Sequence, residues 1–183
     1  MKSEEFRIRK GPVFTHLLLA DEINRAPAKS QAALLEVMQE QQVTIEGRSF
    51  TVSPPFMTLA TQNPVEQEGT YPLPEAQLDR FLFKIRIDYP TSPEEVNLVK
   101  QVTATKVGEG LDVSGINTII KPETVIALQR ITASLPIDDR VYDYAVKIVR
   151  STRTWPGISL GAGPRGSIAL IRAARATALL AGR

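Results

Sequence analysis

The sequence contains no cysteine and a single histidine, His16. Disulfides and thiolate metal sites are therefore excluded, which suits a reducing cytoplasm. No apolar stretch approaches the roughly 20 residues that cross a bilayer. The longest, residues 13–20, is interrupted by Thr15 and His16 and stops at Asp21. The first five residues, Met-Lys-Ser-Glu-Glu, carry acids with no apolar run behind them, unlike a signal peptide. Charge of one sign is also lacking. A formal charge of +2, spread without a basic run, gives no support to a nucleic-acid partner. Finally, no Gly-Lys pair occurs anywhere, so the loop Gly-x-x-x-x-Gly-Lys-[Ser/Thr] that cradles nucleotide phosphates is missing.

What is present is ordinary for a globular protein: 183 residues, 43% hydrophobic and 23% charged. Residues 13–20 read as a buried strand with a polar C-terminal end. Residues 28–40 have helical spacing, with Ala32, Leu35, Val37 and Met38 on one side and Gln and Glu on the other. Residues 42–52 alternate around a turn at 46–49, which predicts a β-hairpin. Pro54-Pro55 gives an extended link to a second short strand over 56–61, ended by Gln62-Asn63-Pro64.

A Gly/Pro-punctuated loop over 66–74 precedes a short helix at 75–80 and a strand at 81–87. The polar stretch 88–93 reads as a domain boundary, and Ser92 with Glu95 forms a capping box with Pro93 in first helical position. Helices follow near 93–106, 122–134, 138–152 and 164–181, broken at Gly108/Gly110, Leu135-Pro136 and Pro156-Gly157. No repeat or low-complexity segment is found. The picture is α/β first and helical second.

Asp21-Glu22 is the strongest chemical feature. An apolar strand ending in two acids sets carboxylates at the carboxyl edge of a parallel sheet, where α/β folds bind ligands. One acid can hold magnesium and the other can orient a water against a phosphate; a solvated strand edge is the plainer alternative. Asn63 ends the second strand region. Its amide can hold a water and a phosphate oxygen at once if the strands are neighbours, or simply cap the turn before Pro64. Arg80 carries a donor fork suited to phosphate, or pairs with Asp79 or Glu75. Arg165 opens the last helix, where it opposes the helix dipole unless an anion compensates. His16 is expected to be structural. Trp155, Tyr142 and Tyr144 are expected to pack in the helical core, and Arg172 with Arg175 to form a solvated or intersubunit face.

Taken in order, these motifs resemble the MoxR-type AAA+ ATPases. The stretch 19–27, Leu-Ala-Asp-Glu-Ile-Asn-Arg-Ala-Pro, is similar to that family's Walker B signature, and 31–40 to the helix after it. Ala-Thr-Gln-Asn-Pro at 60–64 resembles the sensor 1 strand end, 73–81 the arginine-finger helix, and 161–165 the sensor 2 element. The family usually has Ser where Gly163 stands. The resemblance runs from about Phe6 to the end.

The resemblance implies the C-terminal part of an AAA+ P-loop core, a parallel sheet with a β-hairpin insert, over residues 1–90. A helical lid over 91–183 follows it and is C-terminally incomplete. It implies ATP and Mg2+ as cofactors. Asp21 becomes the magnesium-associated acid, Glu22 the catalytic carboxylate and Asn63 the sensor placing water or γ-phosphate. Arg80 becomes a finger reaching the nucleotide of the next subunit, and Arg165 the lid residue facing the γ-phosphate of its own subunit. Strands 3, 4 and 5 of a 5-1-4-3-2 sheet are expected, the last (81–87) without its neighbour.

A cytoplasmic ring, hexameric in this family, is implied, together with chaperone-like remodelling or maturation of client complexes. Clients include proteins with von Willebrand factor A domains. Other machines with the same insert, such as magnesium-chelatase ATPase subunits, are the alternative, and a non-catalytic interaction fragment is the third. Only twenty residues precede Asp21, so the chain is expected to be a piece of a longer protein or the product of a misplaced start. By itself it is expected to be poorly stable and to hydrolyse ATP negligibly.

Overall fold

In a computed structural model, residues 10–63, 69–104 and 113–183 are described. The expected break at Gly108/Gly110 lies outside them, as does the start of the 66–74 loop. The elements are β1 (Leu17–Ala20), a 3-10 turn (Ile23–Arg25), α1 (Ala28–Glu40), β2 (Gln42–Ile45), β3 (Arg48–Thr51) and β4 (Met57–Ala60). After them come α2 (Glu75–Leu78), α3 (Ser92–Thr103), α4 (Pro122–Ser134), α5 (Asp139–Ser151) and α6 (Pro164–Leu180). The fold is thus α/β with a parallel strand pair, a hairpin between its strands and a helical C-terminal part.

By compactness the chain forms two units, 1–82 together with 122–183, and 83–121. In the first, β1 pairs with β4 in parallel, Leu17 opposite Met57 through Ala20 opposite Ala60. The two apolar runs are therefore neighbours, with their polar ends side by side. β2 and β3 form the antiparallel hairpin, Val43 opposite Phe50. Glu46 and Gly47 both take positive φ at its tip, 49° and 76°, as a two-residue turn matching strand twist requires.

The core beneath is small. Leu35 and Val37 of α1 are buried with Ile23, Val52 and Leu73. The N–H of Val52 donates to Gln41 O at 2.8 Å, which ties the hairpin back to the end of α1. Gln31, not Ala32, completes the inward stripe of α1, since Gln31 is buried and Ala32 is exposed. Leu17, Leu19, Met57 and Leu59 share one face of the strand pair by register and alternation, and all four are exposed. A parallel sheet is normally covered on both faces. Here one apolar face is bare.

Farther along, Gly166 of α6 meets Val149 of α5, so that a Cβ there would touch the Val149 methyls at 3.5–3.6 Å. Ala145 and Val149 are buried at this contact. The aromatic expectation fails at this point. Trp155 is 63% exposed in the turn after α5 and Tyr144 is 67% exposed. Tyr142 is exposed as well, and its hydroxyl serves Arg175, whose Nη2 donates to it at 3.2 Å. Arg175 is thus half-buried on a partner, whereas Arg172 of the same face is exposed.

The strand expected at 81–87 does not form. A strand exists only as part of a ladder, and no described strand pairs with this stretch. Phe83, Ile85 and Ile87, expected on one face, are 68%, 76% and 92% exposed.

In the second unit the start of α3 is shifted one residue from expectation. Thr91 is the N-cap and Glu94 its capping-box partner, so Pro93 falls in the second helical position. The sequence Thr-Ser-Pro-Glu-Glu offers the same box in two registers. Hydrogen bonds from the Thr91 hydroxyl and backbone N–H, at 2.6 and 2.8 Å, hold the Glu94 carboxyl below the usual carboxylate range.

Candidate functional site

The parallel register places Asp21 and Thr61 next in line after Ala20 and Ala60, at the carboxyl edge of the strand pair. The ladder continues past the strands: Thr61 N–H donates to Ala20 O at 3.1 Å and Ile23 N–H to Thr61 O at 3.0 Å. Between these bonds the Thr61 hydroxyl donates to Asp21 Oδ1 at 2.5 Å and accepts the Glu22 N–H at 2.8 Å. Thr61 carries no motif that marks it in the sequence; only the strand register points to it.

Glu22 has φ 48° and ψ 49°, left-handed backbone that a residue with a Cβ adopts at a cost of about 1–2 kcal/mol. Its carboxylate meets Arg25 Nε at 3.2 Å on a partly exposed surface, a weak pair. The turn that follows is pinned from below. Gln31 Nε2 donates to the carbonyls of Ile23, Ala26 and Tyr71 at 3.1, 3.2 and 2.9 Å. Tyr71 N–H in turn donates to Asn24 O at 2.6 Å. Both backbone groups of Tyr71 are therefore clipped to the turn after Asp21-Glu22.

Replacing Gln31 by leucine would remove this donor from the Ala26 and Tyr71 carbonyls, while Ile23 O keeps the Ala26 N–H at 3.1 Å. The free energy of unfolding of the complete protein is expected to fall by about 1–3 kcal/mol. Glutamate, which sets a carboxylate against the same oxygens, should lower it further. Denaturant unfolding of the two variants checks the order.

Asn63 lies three residues past β4, its carbonyl 3.4 Å from the Asn24 amide. It is brought to the same strand end as Asp21 and Glu22. The two arginines are held elsewhere in the unit. Arg80 Nη1 donates to Gln39 Oε1 of α1, not to Asp79 or Glu75, and Arg80 Nε is buried without an acceptor among the described residues. Arg165 Nη1 lies 3.7 Å from Asp79 Oδ2, so a carboxylate offsets its position at the start of α6.

The loop before Arg165 is fixed by close packing. A Cβ on Gly161 would sit 2.5 Å from Arg153 Cα, which only glycine allows. Arg153 Nε donates to Ala162 O at 3.0 Å, and Ala162 N–H donates to Thr152 Oγ1 at 2.9 Å. Gly163 has no near neighbour that its Cβ would strike, so the serine usual in the family meets no steric bar here. His16, as expected, is structural: its Nδ1 lies 2.9 Å from Pro55 O.

No group of three or more His, Asp or Glu side chains converges among the described residues. Magnesium does not need one. It keeps several waters and takes one or two carboxylates together with phosphate oxygens. Asp21 and Glu22, exposed and half-exposed at the sheet edge, fit that requirement. No described helix is long and apolar enough to cross a membrane.

A parallel strand pair ending in Asp-Glu, an inserted hairpin and a helical C-terminal part place the chain in the AAA fold class. Residues 1–83 match the family described as "ATPase family associated with various cellular activities (AAA)", and residues 150–183 match the AAA lid domain. The chain belongs to the MoxR family of AAA+ ATPases.

It is 49% identical over 179 residues to the uncharacterised protein YeaC of Bacillus subtilis, covering 98% of this chain and 54% of that one. It is 45% identical over 191 residues to the chaperone MoxR1 of Mycobacterium tuberculosis, covering 98% and 48% respectively. A crystal structure of a protein assigned as an ATPase, from Cytophaga hutchinsonii, superposes with a TM-score of 0.81 at 39% identity. That alignment covers 97% of this chain and 55% of the other. The chain thus spans about half the length of these relatives.

Proposed function

We propose that these residues are the hydrolytic half of an ATP site in a cytoplasmic MoxR-type ring, whose turnover drives remodelling or maturation of client protein complexes. The observation that carries this reading is the joined end of β1 and β4, where Asp21 and Glu22 follow one strand and Thr61 to Asn63 follow the other at the same sheet edge. In it, Asp21 holds the hydrated magnesium that accompanies the phosphates, and Glu22 orients the attacking water and draws its proton. Asn63 steadies that water or the γ-phosphate. Bound magnesium supplies charge neutralisation on the phosphate oxygens. The chaperone name of the mycobacterial relative supports client remodelling; proteins with von Willebrand factor A domains are the client class proposed from the family resemblance.

Residues 1–90 act as the core and 91–183 as the lid, which brings Arg165 to the γ-phosphate. Arg80 serves the site of a neighbouring subunit in the ring, a hexamer. Without a Gly-Lys loop the 183 residues by themselves do not turn ATP over. Phosphate release tests the proposal. The complete protein should hydrolyse ATP only with magnesium, and the 183-residue stretch should not. Absence of turnover by the complete protein would remove the hydrolase reading, and magnesium-independent turnover would remove the metal role given to Asp21.

A further inference from the structure

Asp21 and Glu22 are adjacent in sequence, yet one side chain from the other strand touches both. A threonine hydroxyl has one proton to give and two lone pairs. At Thr61 the proton is committed to Asp21 Oδ1, and a lone pair takes the Glu22 N–H. The first bond fixes the rotation of the Asp21 carboxylate, so that Oδ2 faces away from the threonine. The second holds the main chain of Glu22 in its left-handed conformation, with φ 48°. The backbone of Thr61 is itself locked on either side by Ala20 O and the Ile23 N–H. A side chain so anchored is a rigid reference for both acids.

We propose that Thr61 is a positioning residue that sets the affinity of this site for the nucleotide-bound divalent cation. The inference rests on the hydrolytic reading of Asp21 and Glu22. Partners behind a metal ligand orient it, and their loss typically weakens metal binding tenfold or more. Valine copies the shape of threonine without the hydroxyl, freeing the Asp21 carboxylate to rotate and leaving the Glu22 N–H without its acceptor. Serine keeps the hydroxyl and loses only a methyl.

The test uses the complete protein in wild-type, Thr61→Val, Thr61→Ser and Glu22→Gln forms. Mn2+ binding is followed by electron paramagnetic resonance with a non-hydrolysable ATP analogue, and the Mg2+ dependence of phosphate release is followed in parallel. Thr61→Val should weaken Mn2+ binding and raise the Mg2+ half-saturation about tenfold, while Thr61→Ser stays close to wild type. Thr61→Ala gives the same comparison if valine disturbs folding.

An unchanged metal dependence in Thr61→Val overturns the proposal. So does equal impairment in Thr61→Ser, which would mark threonine as a packing residue, and so does absence of analogue-dependent Mn2+ binding in the wild type. A wild type whose turnover survives Glu22→Gln refutes the hydrolytic reading instead, and the Mn2+ titration then still decides the role of Thr61.

Discussion

Alanine in place of Arg80 is expected to lower ATP turnover by the complete protein about a thousandfold while leaving nucleotide affinity nearly unchanged. Within its own chain the guanidinium has little to do. It makes one bond to a neutral amide, Gln39 Oε1, and its Nε is buried with no acceptor among the described residues. A charged fork left partly unsatisfied is a poor structural device, because a buried donor without a partner costs about 1–3 kcal/mol. It is a reasonable one for a side chain that must be released toward phosphate.

If Arg80 serves the neighbouring subunit, its loss removes charge stabilisation from the transition state and little from ground-state binding. Lysine should not restore the rate, since it lacks the planar fork. Single-turnover phosphate release and equilibrium ATP binding on the same preparations separate the two quantities. Turnover unchanged in Arg80→Ala would remove the finger assignment and confine Arg80 to its contact with α1.

Glu22→Gln should reduce turnover by roughly 100- to 10,000-fold, the range typical of losing a positioned general base. The amide keeps the size of the carboxylate but cannot take a proton, so ATP should still bind and should stay bound as ATP. The backbone arrangement is expected to survive, because the bonds that hold position 22 involve its N–H and not its carboxylate. The substitution does forfeit the contact with Arg25, an exposed pair that contributes little. Trapping radiolabelled ATP on Glu22→Gln, followed by product analysis, checks both halves. Recovery of ADP at the wild-type rate would contradict the role given to Glu22.

Much of this site is legible in the sequence because it is written by short-range rules. Apolar runs that stop at Asp21 and at Gln62 announce two short strands, and the structure pairs them in parallel. The hairpin and the five long helices α1, α3, α4, α5 and α6 follow from alternation, helical period and proline or glycine breaks.

What escaped depends on partners distant in the chain. Gln31 is polar, and polarity alone places it on the solvent side of α1. It lies four residues before Leu35 in the inward stripe, and three carbonyls from elsewhere receive its amide. Thr61 gains its meaning from the strand 40 residues earlier. Residues 81–87 have every local mark of a strand, but pairing is not a local property, and no ladder forms there. Trp155 and Tyr144 were placed inside by hydrophobicity, yet the contact between α5 and α6 is made through small side chains, Ala145, Val149 and Gly166.

The phosphates and their metal are expected to meet the carboxyl edge of β1 and β4. The structure of the complete protein bound to magnesium and a non-hydrolysable ATP analogue measures this placement most directly. The cation is expected beside the Asp21 carboxylate, directly or through one water, with Thr61 still hydrogen-bonded to Oδ1. A nucleotide whose γ-phosphate and metal lie away from Asp21 and Glu22 would contradict it.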